Sequence, residues 1–170
     1  MRKEYSRYRR IGWILFSLYL AALLYLMFFS DMEERGLLVK EAYTYSLVPF
    51  LEIRRYIVHA GQIGLRGVML NLFGNIAGFM PLGFILPVIS RRCRRPWYNT
   101  VLCAYLLSYG IEMSQLMLRA GSCDVDDIIL NTFGGLLGYL VFIIVQRFIV
   151  WHLRKRRSRW MQNRRWKGGR

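Results

Sequence analysis

Ile11-Gly-Trp-Ile-Leu-Phe-Ser-Leu-Tyr-Leu-Ala-Ala-Leu-Leu-Tyr-Leu-Met-Phe-Phe29 runs for nineteen residues without a charged side chain. About 20 mostly apolar residues are needed to cross roughly 30 Å of hydrocarbon, so this stretch reads as a membrane-spanning helix. Arg2, Lys3, Arg7, Arg9 and Arg10 precede it, and Asp31, Glu33 and Glu34 follow. A cleaved secretory signal has a shorter apolar core and a small-x-small cleavage site after it. The run is therefore expected to be a retained signal anchor.

Working outward, three more runs have the same character. One covers approximately Val68 to Ile89, interrupted by Asn71, Asn75, Pro81 and Pro87. The next covers about Trp97 to Leu118 and contains Glu112, and the last covers about Ile128 to Trp151 with Asn131 near its start. The 170-residue chain is 55% hydrophobic yet carries a formal net charge of +15. A soluble domain would intermix those properties; here long apolar runs alternate with dense basic stretches. The expected fold is all-α: a polytopic membrane protein with four transmembrane helices and both termini in the cytoplasm. Residues 1–10 form a basic cytoplasmic N-terminus, 11–151 a single transmembrane domain, and 152–170 a basic cytoplasmic tail.

Orientation follows from the Lys/Arg bias, which sets topology more strongly than acidic residues do. With the N-terminus inside, the inner segments hold the five N-terminal basic residues and Arg91, Arg92, Arg94 and Arg95. The tail adds Arg147 and the basic run from Arg154 to Arg170, so nineteen of the 25 basic residues lie inside. Trp13, Trp97 and Trp151 fall at the inner interface, where amphipathic rings prefer to sit. Because the basic residues flank helices in this way, they point to anionic membrane lipids as partners rather than to nucleic acid.

Cys93 is placed in the cytoplasm, Cys103 in mid-membrane and Cys123 outside, so no pair is expected to meet as a disulfide. The long connection from Ser30 to Gly67 is outer and not simply polar. Apolar residues at 50, 53 and 57 alternate with Glu52 and Arg55, which suggests an amphipathic or re-entrant segment between the first two helices. Pro49 is expected to set its start. Gly74/Gly78 and Gly134/Gly138 are spaced four apart, as helix contacts in lipid require. Pro81 and Pro87 should kink the second helix unless neighbours satisfy the freed carbonyls.

The informative residues are polar ones inside the membrane. Glu112, Gln115 and Arg119 share one helix face by i, i+3, i+7 spacing, and Asp124, Asp127 and Asn131 share another. Asn71 and Asn75 lie one turn apart at the start of the second helix. All three sets fall at the outer ends of their helices. Glu112 lies roughly 9 Å inside the third helix at 1.5 Å per residue. Facing lipid there, its carboxylate would cost at least a few kcal/mol, so it should face the bundle interior. These eight residues are expected to form one polar pocket in the outer leaflet.

A structural role stands beside that reading. Asp124 suits the N-cap of the fourth helix, Asp126 and Asp127 suit its positive end, and the asparagines could join helices. No transmembrane histidine and no serine nucleophile motif is present, so acyl-transfer catalysis has no visible apparatus. Glu112, Asp124 and Asp127 could hold a divalent cation by oxygen ligands, but carboxylates alone do not single one out, and the expectation is no cofactor.

In order, the chain carries Leu47-Val-Pro-Phe50, Asn71-Leu-Phe-Gly-Asn75, Phe79-Met-Pro-Leu-Gly83, Glu112-Met-Ser-Gln115, Gly121-Ser-Cys-Asp124-Val-Asp-Asp127 and Asn131-Thr-Phe-Gly134-Gly135, with Gly138. This ordered set, spanning about residues 45 to 140, resembles the VanZ-like family of bacterial membrane proteins. The resemblance implies a multi-pass protein of the bacterial cytoplasmic membrane, with a role in susceptibility to teicoplanin or related lipidated glycopeptides. It carries over to Asn75, Glu112, Gln115, Asp124, Asp127 and Asn131, and less directly to Arg119, which sits further upstream of Asp124 than the Arg of some members.

The function expected from both readings is non-enzymatic: an outer-leaflet pocket that binds an amphiphile, either a lipid-linked envelope component or the lipoglycopeptide itself. The alternative is a membrane enzyme acting on a lipid-linked precursor, with Glu112 and Asp127 as catalytic acid/base candidates or metal ligands. A small lipid transporter is the third reading. Four helices are few for alternating access, which ranks it last.

Overall fold

The computed structural model describes residues 2–35, 45–118 and 123–167. In chain order these form α1 (Arg2–Arg35), β1 (Tyr45–Ser46), α2 (Leu51–Val58), α3 (Ala60–Ile63), α4 (Leu65–Ile89), α5 (Arg91–Arg94), α6 (Tyr98–Met117), β2 (Cys123–Asp124) and α7 (Val125–Lys167). Three helices are long and apolar enough to cross a membrane, at Ile11–Phe28, Arg66–Ile89 and Val125–Arg156. Their large apolar side chains stay exposed, as at Ile14 and Leu18 of α1, Leu70 of α4 and Ile144 and Phe148 of α7. A soluble monomer rarely exposes contiguous apolar surface on that scale, whereas lipid covers it without cost. The chain is an all-α membrane protein.

The fourth expected span, α6, has the length but falls below those three in hydropathy. Its pattern shows why. The buried positions are Thr100, Ala104, Ser108, Ile111, Glu112 and Gln115, a stripe at helical spacing that is mostly polar or small. Leu102, Tyr105, Leu106 and Tyr109 face outward and are exposed. Polar side chains turn in and apolar ones out, the reverse of a soluble helix.

Cross-helix contacts give the directions. Gly12 of α1 lies against Ile89 of α4, while the Tyr19 hydroxyl donates to the Gly78 carbonyl at 2.6 Å, so these helices are antiparallel. On α4 and α7, Asn75 meets Asp127, Ile76 meets Gly134 and Met80 meets Gly138, so these run parallel. Ala104 meets Gly135 and Ser108 meets Asn131, so α6 runs against α7. The start of α1 and the end of α7 therefore lie at the same end of the bundle, together with the basic α5. The first helix is no detached anchor: Leu23 is 3% exposed and joins Phe79, Leu82, Leu86, Ala104 and Ile111 in the core.

The most extensive contact is between α4 and α7, and glycine makes it possible. A Cβ at Gly134 would collide with the Ile76 carbonyl, one at Gly138 with that of Met80, and one at Gly83 with that of Gly135. Gly135 opens the opposite face of α7, where its Cβ would lie 2.5 Å from that of Ala104. The expected Gly134/Gly138 pair is thus a true crossing. Gly74 is not, since a Cβ there meets nothing within 4 Å, and Gly78 accommodates Leu23 of α1 instead. Its partners on α4 are set by helix rotation, which repeats in the sequence do not reveal.

The connecting elements add detail to these expectations. Helix α4 passes Pro81 and Pro87 without ending, and Arg94 Nε donates to the Pro87 carbonyl at 3.0 Å near its last turn. Helix α7 continues beyond Trp151 through the basic stretch to Lys167. Cys93 and Cys103, expected apart, lie close enough to affect each other electrostatically, and all three cysteines are free thiols. The cause is that α6 begins at Tyr98, which leaves Cys103 only about 8 Å along it. The amphipathic segment expected between the first two long helices takes shape as α2 and α3, with Leu51, Ile57 and Val58 exposed and Glu52 bridged to Arg55 at 3.0 Å. It starts after Pro49, because Phe50 adopts φ 65 and turns the chain into α2.

Candidate functional site

The connection between α1 and α4 is tied to the start of α7 by backbone. Strand β1 pairs in parallel with β2, setting Tyr45 beside Cys123 and Ser46 beside Asp124. Asp126 completes the clasp. Its carboxylate accepts the Phe50 N–H on one oxygen and the Ile53 N–H, at 3.0 Å, on the other. Helix α2 has no side-chain cap of its own, so its free N–H groups are met by an acid from another helix. At 1% exposure Asp126 is a structural residue, in keeping with its expected place at a helix start.

Asp124 caps α7 by accepting the Asp126 N–H at 2.8 Å. Its own N–H donates to Glu112 Oε2 at 2.9 Å, which joins the end of α6 to the start of α7. Glu112 is 3% exposed, so its carboxyl faces inward as expected. Asp127 accepts from the Asn75 amide at 2.5 Å, which adds α4 to the group. One turn deeper, Asn131 donates to the Ser108 hydroxyl at 2.9 Å. Ser108 stands four residues before Glu112, so the face that carries Glu112 already pointed to it; sequence reading passed over it because serine is common in membrane helices.

Two expected members turn elsewhere. Asn71 donates to the Gly67 carbonyl of its own helix at 3.0 Å, and Gln115 donates to the Met27 carbonyl of α1 at 2.8 Å. Gln115 thus fastens the first helix to the bundle. Arg119 lies outside the described residues.

Burial is the main reason that the Asp124 carboxyl is pushed up to about 6. The Asp126 N–H opposes that shift, the charges of Asp126 and Glu52 add to it, and Arg55 opposes it. Neighbouring Cys123 is 2% exposed, and burial, with Glu112 and Asp124 nearby, pushes its thiol up too. It is a packed thiol rather than a nucleophile.

Among the described residues no three His, Cys, Asp or Glu side chains are grouped to hold a metal ion. His59 contacts the Arg55 carbonyl at 3.2 Å, and the His152 ring packs on Phe148 and Trp151. Neither histidine is engaged with the carboxylates. The site is a junction of α4, α6, α7 and the α2 loop, rich in hydrogen-bond acceptors.

A family model described as VanZ/LLP1 matches residues 16–146, well over half of the chain. No curated protein and no solved structure matches it. The matched segment contains every described residue of the junction. The chain belongs to the VanZ-like family.

Proposed function

We propose that this member of the VanZ-like family is a non-enzymatic protein of the bacterial cytoplasmic membrane whose outer-leaflet polar site receives the head of an amphiphile. The consequence is lowered susceptibility to teicoplanin or related lipidated glycopeptides. The observation that carries the reading is the convergence of Glu112, Asp124, Asp127 and Asn75, from three helices, at one end of the bundle. The exposed apolar residues Leu47, Val48 and Phe50 lie beside that end, on the segment clasped by Asp126. Polar groups for a head next to an apolar bank for a tail are what an amphiphile needs.

Four spans with both termini inside complete the proposal. The inward polar stripe of α6 suits a helix in lipid, and the alternating helix directions put both termini and the basic α5 together. A reporter fused after Arg170 should be active only if it is cytoplasmic; activity of an export-dependent reporter there would invert the topology.

The decisive comparison is teicoplanin susceptibility of a sensitive Gram-positive host expressing wild type, Glu112→Gln or Asp127→Asn at matched membrane abundance. Wild type is expected to protect and both variants to lose most of that protection. Equal protection by all three would make the junction scaffolding, and no protection by wild type would place this member in another envelope task.

A further inference from the structure

The chain between α1 and α4 is held to the junction by little apolar packing. No residue of α2 is buried, and Leu51, Ile57 and Val58 stand exposed. What holds the segment is polar: the β1–β2 pair, and the Asp126 carboxylate on the Phe50 and Ile53 N–H groups. A piece of chain with few buried apolar contacts opens locally far more readily than a core helix. Against it lie Cys123 and Asp126, 2% and 1% exposed, and Asp124, which feels the charges of Glu52 and Arg55 on α2.

The closed arrangement also stores strain. Phe50 is the N-cap of α2 at φ 65 and ψ 9, a left-handed conformation, whereas N-cap residues are ordinarily extended. For a bulky residue this region is an outlier, and it persists only where the surroundings impose it. The ring does not impose it, being 62% exposed. The imposing group is Asp126, which holds the N–H of Phe50 itself. A second feature opposes closure. Among the described residues the Ser46 Oγ is buried with no hydrogen-bond partner, and opening returns it to water. At the other end, Gly64 joins α3 to α4 at φ 82, with nothing within 4 Å of where a Cβ would stand. Such a glycine lets α2 and α3 swing without obstruction.

We infer that residues 45–64 form a sprung strap over the junction, latched by Asp126, strained at Phe50 and hinged at Gly64, and that the strap governs entry to the site. The control of entry deepens the proposed function and rests on it; the opening of the strap does not. Release of the latch frees Phe50 to relax to an extended backbone. Strain and latch therefore oppose each other, which keeps the open state within reach of the closed one.

Opening is read at Cys123, which is buried beside β1. The measurement is its rate of modification by N-ethylmaleimide in full-length protein carrying Cys93→Ser and Cys103→Ser, in phosphatidylcholine vesicles. Phe50→Ala keeps the left-handed strain and loses only the exposed ring, so Cys123 should react within about twofold of the parent rate. Phe50→Gly removes the strain, so the latch should hold better and Cys123 should react about fivefold more slowly than in Phe50→Ala. Equal rates in the two variants, or a faster rate with glycine, overturn the sprung strap.

Entry is tested by locking the strap. Tyr45 and Cys123 are partners in the parallel pair, and paired strands lie about 4.8 Å apart, within the separation a disulfide needs. Tyr45→Cys in the same background is oxidised with copper phenanthroline to join position 45 to Cys123, and dithiothreitol releases it. The probe is a diazirine-bearing hexadecanol, read as capture on the peptides that carry Glu112 and Asp127. Locked protein should capture about fivefold less than the same protein reduced. Equal capture in both states overturns the control of entry and leaves an amphiphile site standing. No capture on those peptides in either state overturns the amphiphile reading, while the Cys123 rates still decide the strap.

Discussion

Gly138→Leu is expected to remove nearly all folded protein from the membrane. A Cβ at that position collides with the Met80 carbonyl and comes within 3.0 Å of Gly83 Cα, so the obstruction is backbone and cannot rotate away. The helices cannot part locally either, since Gly134 meets Ile76 one turn earlier on the same crossing. Overpacking costs about 1–3 kcal/mol when side chains can adjust, and more where they cannot. Against a total stability of roughly 5–15 kcal/mol, such a loss is severe. In lipid it is felt directly, because close packing rather than the hydrophobic effect holds helices together. The measurement is membrane abundance and thermal aggregation of Gly138→Leu beside Gly74→Leu. Gly74 faces open space, so its variant should stay near wild type. Equal loss in both would show that the α4·α7 contact is not the critical one.

Asp126→Ala should release the α2 segment while leaving the bundle folded. The carboxylate holds the Phe50 and Ile53 N–H groups at the start of α2, where the helix dipole also favours an anion. Hydrogen bonds to a charged group contribute about 1.5–3 kcal/mol each when buried. These are partly exposed, so about 2–4 kcal/mol for the pair is a fair expectation, or on the order of a hundredfold faster local opening. Hydrogen exchange across residues 47–63 should rise by that order, with α6 unchanged. Exchange at the wild-type rate would mean that the β1–β2 pair holds the segment by itself. Asp126→Asn should fall between, because an amide keeps only one acceptor oxygen. This variant also separates clasp from ligand contact. If Asp126→Ala loses protection against teicoplanin at wild-type membrane abundance while Asp126→Asn keeps it, the clasped α2 segment takes part in function.

The membrane class, the helical content and the inward placement of Glu112 were legible in the sequence. Charge-free runs of spanning length have one cheap environment, and a carboxylate well inside a helix must find partners or stay out of lipid. The faces were legible too, since i, i+3 and i+7 spacing put Glu112 with Gln115 and Asp124 with Asp127 and Asn131 before any contact was known, although Ser108, on the face of Glu112, was passed over. Sequence also carried the family, through an ordered set of short segments that the match over residues 16–146 bears out. Partners were another matter. Gln115 reaches α1 rather than the carboxylates, Asn71 turns to its own helix, and Gly74 faces away from the crossing that Gly83 serves. Asp126 looked like one more acid at a positive helix end, and only the folded loop brings two N–H groups of α2 to it. Periodicity determines which residues share a face; the rotation of each helix about its axis, set by backbone contact at Gly83, Gly134 and Gly138, decides what that face meets.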